Sequence, residues 1–245
     1  MSFSHKKLYV IFPAAGSGSR MKSDKNKLLM EVNGVPVIDR TLTAFKKFAD
    51  EQHIDICGVL VVPIGKSDDW ASYIDGKGFS SFVEIIVEGG ASRTESVSHG
   101  VFSLNDPDLP EPDADDPVFI HDAARCLIDS DSLSRCLEAI LEEDTDVCVS
   151  GVKTKNTIKM VKSGTTIVES TPNRDLLYEV QTPQCFKYSV LKECYEKAYD
   201  EEFEATDDTA LAEHYGYKVR IVEGSYSNIK ITTPEDIIIA QSLLS

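Results

Sequence analysis

Short apolar runs alternate with helix-length amphipathic segments through residues 1–150, and this rhythm most narrowly restricts the fold. Leu8–Phe12, Cys57–Pro63, Val83–Val87, Pro117–Ile120 and Asp146–Val152 each read as a strand. They are nearly continuous in apolar residues, as strands covered on both faces are. Between them, Ile38, Leu42, Phe45 and Phe48 line one face of a helix that starts near Pro36. Ser92 and Glu95 have capping-box spacing and open a helix with Val97, Val101 and Leu104 on its inner stripe. Leu133, Leu137, Ile140 and Leu141 mark a further helix. Strand–helix alternation predicts an α/β fold, with a mostly parallel twisted sheet and helices on both faces. No clean break divides the 245 residues, so residues 1–245 are expected to form one domain.

After Lys153 the pattern changes. Ile158–Val161 and Thr165–Val168 flank Lys162-Ser163-Gly164, which predicts a β-hairpin projecting as an arm over about 153–176. Tyr188–Tyr199 and Thr206–Tyr215 read as helices, the second closed by Gly216. Tyr217–Val222 and Asn228–Ile231 read as short strands, and Thr233-Pro234-Glu235-Asp236 caps a last helix. Asn105–Asp116, rich in Pro and Asp, is expected to be an exposed loop.

Charge narrows the partners. The net charge of −16, from 41 acidic and 25 basic residues, opposes binding to nucleic acid or an anionic membrane. A small polyanion remains open, because a few cations focused in one pocket suffice for it. The six cysteines form no C-x-x-C and no zinc spacing, and are expected to be reduced and mostly buried. The polar start, Met1–Lys7, has no signal-peptide run, so the expected location is cytoplasmic.

Three unusual segments fall where α/β sheets bind ligands, beyond the carboxyl ends of strands. The first is Pro13-Ala14-Ala15-Gly16-Ser17-Gly18-Ser19-Arg20-Met21, followed by Lys22, Lys25 and Lys27. Small residues there let backbone N–H groups approach an anion, and the cations neutralise phosphate charge. No Gly-Lys-[Ser/Thr] follows, so it is not a Walker loop, and Met21 replaces the last glycine of a dinucleotide fingerprint. The second is Gly89-Gly90-Ala91-Ser92-Arg93-Thr94-Glu95-Ser96, a turn and capped helix that leaves Arg93 and Ser96 for a ligand. The third is His121-Asp122-Ala123-Ala124-Arg125, where Asp122 either meets a ligand or pairs with Arg125, and His121 reads as a packed histidine. Thr206-Asp207-Asp208 most simply begins a helix, with acids favoured by its dipole.

Together, PAAGSGSRM, NKLL, GGASRTESV, HDAAR, TPQCF, TDDTALAEHYG and VEGSYSNIKIT resemble the 2-C-methyl-D-erythritol 4-phosphate cytidylyltransferase family of the non-mevalonate isoprenoid pathway. The resemblance runs from about Tyr9 to Leu244. It implies a Rossmann-like nucleotidyltransferase fold, a homodimer with exchanged β-arms, and CTP and a sugar-alcohol phosphate as substrates. It implies Mg²⁺, or another divalent cation, held mainly by triphosphate oxygens, with no certain protein ligand. Arg20 and Lys27 would stabilise the pentacovalent α-phosphate. Pro13, Ala14, Ala15, Gly16, Ser17, Gly18, Gly89, Arg93, Ser96 and Ala123 would hold CTP. Asp122, Arg125, Thr157, Arg174, Thr182 and Lys230 would surround the acceptor, with Arg174 and Lys230 also serving catalysis and the arm residues reaching the partner's site. This chain departs from the family pattern at Asn26 and Leu28 around Lys27, at Cys126 after HDAAR, and at the Asp pair in Thr206-Asp207-Asp208. A ribitol 5-phosphate cytidylyltransferase, a nicotinamide-dependent oxidoreductase read from Gly16-x-Gly18, and a non-catalytic nucleotide-binding protein are the alternatives.

Overall fold

The computed structural model describes residues 7–16, 26–106 and 111–244. Expectations for Ser17, Gly18 and Arg20 lie outside the described residues.

The strands are β1 (Lys7–Pro13), β2 (Glu31–Val32), β3 (Val35–Pro36), β4 (Asp55–Val62), β5 (Val83–Glu88), β6 (Pro117–Ile120), β7 (Val147–Lys153), β8 (Met160–Val161), β9 (Val168–Ser170), β10 (Tyr178–Lys187) and β11 (Val219–Glu223). The helices are α1 (Val37–Gln52), α2 (Ser67–Gly76), α3 (Arg93–Ser103), α4 (Ser130–Ile140), α5 (Tyr188–Asp200), α6 (Asp208–His214) and α7 (Pro234–Leu243). A seven-stranded sheet has the order β11-β7-β10-β6-β1-β4-β5. All its strands run parallel except β10, which is antiparallel to both β6 and β7.

Alternation along β1 shows how the sequence builds the layers. Leu8, Val10 and Phe12 face one core with Phe45 and Phe48 of α1, Trp70 of α2 and Leu133 of α4. Tyr9 and Ile11 face the other core with Val97 and Val101 of α3, Leu191 of α5 and Leu211 of α6. Side chains of successive strand residues point to opposite faces, so a continuous apolar run requires cover on both. Gly100 lets α3 lie close: a Cβ there would come within 2.8 Å of Ile11 Cγ2 and 2.9 Å of Val61 Cγ2. All six cysteines are unpaired and buried.

Several details differ from the sequence expectations. Strand β10 is absent from them, because Pro183 argues against a central strand. The ladder accommodates that proline by a register shift between Val180 and Gln184. The segment Asn228–Ile231 forms no ladder; Ile231 N donates instead to Ala124 O at 2.9 Å, and Arg125 Nη1 to Asn228 O at 2.7 Å. Helix α6 starts at Asp208 rather than Thr206, because the Asp207 carboxylate caps it through Ala210 N. The described part of the Pro/Asp loop is not wholly exposed: Asp116 is buried, and Ser189 N donates to Ala114 O at 2.9 Å.

The hairpin forms at the expected place, although β8 and β9 are shorter than the apolar runs suggest. Its apolar side chains Ile158, Met160, Val161, Ile167 and Val168 are exposed.

Candidate active site

The carboxyl ends of β1, β5 and β6 bring the three unusual segments to one edge of the sheet. Ala14 N donates to Val61 O at 2.7 Å, Gly89 N to Val62 O at 2.8 Å and His121 N to Ile11 O at 2.9 Å. These bonds continue the strand pairing into the loops, so the loop backbones inherit the rigidity of the sheet. Gly89 permits a close approach: a Cβ there would lie 2.6 Å from Ala15 Cβ and 2.7 Å from Ser96 Oγ.

Between these loops is a cavity of about 500 Å³. Pro13, Ala14, Ala15 and Gly16 form one wall, and Arg93 and Ser96 at the start of α3 form another. Lys27, Asp122 and Lys230 complete it. Arg125, Thr182, Gly89 and Ala123 sit behind the wall rather than on it. Ala123 is fully buried and its carbonyl accepts from Thr41 Oγ1 at 2.9 Å, while Ala124 faces the cavity. Thr157 and Arg174 are on the exposed arm and do not line this cavity; Arg174 Nη1 donates to Lys155 O at 3.2 Å.

Lys27 begins a single 3-10 turn, Lys27–Leu29. Asn26 Oδ1 accepts from Leu28 N at 3.0 Å, and the Leu28 side chain is buried. The two departures from the family pattern thus cap and anchor the turn that carries the lysine. Cys126, the third, is buried in the core.

The acidic centre of the site is Asp122. Its Oδ2 is 2.9 Å from Lys230 Nζ and 3.3 Å from Arg125 Nε. Burial alone would raise its pKa, but the cations of Lys230, Arg93 and Arg125 outweigh burial and hold the carboxyl well below its ordinary range. Asp122 is therefore ionised near neutral pH, and it fixes Lys230 at the cavity wall.

Behind Asp122 runs a buried hydrogen-bond chain. Asp122 N donates to Thr182 Oγ1 at 3.1 Å, and Thr182 Oγ1 lies 3.1 Å from His121 Nδ1. His121 Nε2 lies 3.1 Å from Arg125 O. A carbonyl oxygen only accepts, so Nε2 carries the proton and Nδ1 accepts from the threonine hydroxyl. Burial is the largest influence on His121 and, against the partial support of the Arg125 carbonyl, lowers its pKa from 6.5 to about 4. His121 is a neutral, packed histidine, as its sequence context suggests.

Because the folded pKa lies below the unfolded one, the unfolded chain takes the proton first as pH falls. The contribution is complete above about pH 6.5 and is lost progressively towards pH 4. Between pH 7 and pH 4.5, wild-type protein is expected to lose about 2–3 kcal/mol more stability than His121→Gln. Urea unfolding of both proteins at the two pH values checks this; equal losses would show that His121 does not titrate on unfolding.

Arg93 is held differently. Its Nη1 and Nη2 donate to Asp208 Oδ1 and Oδ2 at 2.8 and 2.6 Å, and Tyr195 Oη donates to Asp208 Oδ1 at 2.6 Å. Burial works against the guanidinium charge, but the Asp208 carboxylate outweighs it and raises the pKa further. From the sequence, Asp208 reads only as the start of a helix. Its place in the TDDTALAEHYG segment was the available signal.

Among the described residues, backbone N–H groups, the cations Lys27, Arg93 and Lys230, and one lining carboxylate suit a small polyanion. Among the described residues, no His–carboxylate pair faces the cavity as a general base.

The sequence profile of the 2-C-methyl-D-erythritol 4-phosphate cytidylyltransferase family matches residues 8–245. The chain is 39% identical over 237 residues to the 2-C-methyl-D-erythritol 4-phosphate cytidylyltransferase of Crocosphaera subtropica, covering 97% of each chain. It is 38% identical to the protein of that name from Clostridium novyi, over 96% of this chain and 95% of the relative. The crystal structure of 4-diphosphocytidyl-2C-methyl-D-erythritol synthase from Anaerococcus prevotii superposes with a TM-score of 0.78 at 31% identity, covering 98% of both chains. With this cavity at the carboxyl edge of a mostly parallel sheet, the chain belongs to the 2-C-methyl-D-erythritol 4-phosphate cytidylyltransferase family, a family of nucleotidyltransferases.

Proposed function

We propose that the protein transfers CMP from CTP to 2-C-methyl-D-erythritol 4-phosphate in isoprenoid precursor biosynthesis, forming 4-diphosphocytidyl-2-C-methyl-D-erythritol and releasing pyrophosphate. The observation that carries this is the cavity formed by loop 13–16, the start of α3 and the Asp122–Lys230 pair, in a chain with full-length family similarity. The nicotinamide and ribitol phosphate alternatives have no comparable support.

The acceptor's phosphate oxygen attacks the α-phosphorus of CTP in line. A new O–P bond forms, the bond to the β-phosphate oxygen breaks, and pyrophosphate departs with the electron pair. A phosphate monoester is largely ionised near pH 7, so the attacking oxygen needs no general base. Catalysis then rests on positioning and on neutralising charge at the α-phosphate. Lys27 and Arg20 take that role. Loop 13–18 with Arg93 and Ser96 holds the nucleotide, and Gly89 and Ala123 shape that wall from behind. Asp122 and Lys230 form the acceptor side, with Arg125 and Thr182 holding Asp122 from behind.

A divalent cation fits this site in one way. Among the described residues, no three His, Cys, Asp or Glu side chains converge to cage a metal. Asp122, the lining carboxylate, is already engaged by Lys230 and Arg125. The donor set suits Mg²⁺ carried on triphosphate oxygens, which keeps several waters and needs few protein ligands. When bound, Mg²⁺ neutralises triphosphate charge and orients the leaving group.

We further read residues 1–245 as one catalytic unit that works in the cytoplasm as a homodimer, with the 153–176 arm exchanged between protomers. The exposed apolar arm and the absence of Thr157 and Arg174 from their own cavity wall support the exchange. Complementation tests it. Lys27→Ala and Arg174→Ala proteins, each weak alone, should regain about a quarter of wild-type activity when refolded together, because mixed dimers carry one intact site. No gain on mixing would remove the exchanged-arm reading. No helix among the described residues is long and apolar enough to cross a membrane.

Pyrophosphate release from purified protein, Mg²⁺ and CTP tests the reaction, with methylerythritol phosphate and ribitol 5-phosphate offered separately. Release with methylerythritol phosphate alone is expected. Release only with ribitol 5-phosphate, or with neither, would overturn the assignment.

A further inference from the structure

The buried carboxylate of Asp208 has no part in the reaction as described, yet it takes two of Arg93's N–H groups. The Asp208 side chain is 0% exposed and that of Arg93 is 30% exposed. Only the arginine faces the cavity, so Asp208 can influence a ligand only through it. Three links make this carboxylate a fixed object. It lies in the first turn of α6, where a helix favours an anion. That turn is tied to the sheet, because Thr209 N donates to Gln184 Oε1 of β10 at 2.9 Å. Tyr195 of α5 donates its hydroxyl to the same carboxylate. Burial and the neighbouring Asp208 carboxylate raise the phenol's pKa well above its ordinary value, so it stays a donor.

We propose that Asp208 and Tyr195 are positioning residues that hold the Arg93 guanidinium in the orientation in which its remaining N–H groups meet the bound nucleotide. This rests on the proposed function above, and it deepens that reading by naming what sets the nucleotide-side arginine. A free arginine side chain samples many rotamers, and ordering them on binding weakens affinity. The bidentate carboxylate removes most of that freedom beforehand, because a planar fork meeting a planar carboxylate fixes orientation as well as distance. A buried ion pair is a weak source of stability, so stability alone gives little reason for this one. The carboxylate belongs to the α6 side of the sheet and the arginine to α3, 115 residues apart. The contact therefore also registers α6 against the nucleotide wall.

The test measures CTP affinity by titration calorimetry in Mg²⁺, and KM for CTP and for methylerythritol phosphate in the pyrophosphate assay. Asp208→Asn keeps the side-chain shape but loses the charge and the bidentate fork. It is expected to weaken CTP binding and raise the CTP KM by roughly 10–100-fold, with the acceptor KM unchanged within about twofold. Tyr195→Phe removes one hydroxyl and is expected to raise the CTP KM about threefold. Arg93→Ala with Asp208→Asn should be no worse than Arg93→Ala alone, since Asp208 acts only through Arg93.

A purely structural Asp208 would lower thermal stability and leave both KM values together, and its loss would add to that of Arg93. Either of those results overturns the proposal. If Asp208→Asn does not fold, Tyr195→Phe decides: an unchanged CTP affinity there overturns it. Wild-type protein that binds CTP but turns over neither acceptor sinks the reaction while leaving the affinity test in force. Wild-type protein that does not bind CTP sinks both.

Discussion

Lys27→Ala is expected to lower kcat by roughly 10²–10³-fold, with only a modest change in CTP affinity. The expected size reflects what a fixed positive charge contributes where negative charge develops in a site of low dielectric. The alternative is a lysine that simply attracts the triphosphate, in which case KM for CTP would rise and kcat would hold. Steady-state kinetics with both substrates varied separates the two. The structure supports the first outcome, because the lysine is on a turn whose neighbours are fixed. Asn26 caps it and Leu28 is buried, so the charge is carried on a pre-positioned backbone. Arg20→Ala is expected to behave alike. Turnover close to wild type in both variants would remove these two residues from the mechanism.

Phe45→Ala is expected to cost about 3–5 kcal/mol of stability, the range for truncating a buried aromatic side chain. Phe45 is 0% exposed, and its ring meets Phe12 edge-on at a centroid distance of 5.1 Å and His121 at 5.0 Å. The substitution therefore removes packing beneath both β1 and the turn that carries Asp122. Denaturant unfolding gives the size of the loss. A change below about 1 kcal/mol would mean that the core collapses into the gap, which the close packing of protein interiors opposes. Turnover should fall along with stability, because His121 then loses the ring that fixes it behind Asp122.

Most of the fold was legible because its causes are local. Leu8–Phe12 reads as a covered strand from five consecutive residues, and Ser92 with Glu95 announces α3 through its own first turn. The Glu95 carboxylate does reach back, though to Ala91 N at 2.6 Å, one residue before the cap. Helix α2 was harder to see. Only Trp70 and Ile74 in it are buried, too few to establish a period.

Strand β10 shows where such reading stops. Gln181, Thr182 and Gln184 are polar, flank a proline, and suggest a surface turn, yet all three are buried. Each is satisfied by a partner far away in the chain: Gln181 Nε2 donates to Ser225 O, Thr182 Oγ1 accepts from Asp122 N, and Gln184 Oε1 accepts from Thr209 N. A polar residue can be buried only where its hydrogen bonds are met, and one stretch of sequence does not contain those partners.

The same division holds for the site. Sequence alone determined the elements that hold it: apolar runs that must be covered on both faces, small residues beyond β1, and the capped start of α3, since each follows from residues adjacent along the chain. Tertiary structure alone decided how the charges are paired. Asp122 could have paired with Arg125 only, but it also holds Lys230, and Asp208 could have been a helix-terminal acid only, but it holds Arg93. Ion pairs form between groups brought within a few ångströms in a shielded place, and the packing of the sheet and its helices sets that distance.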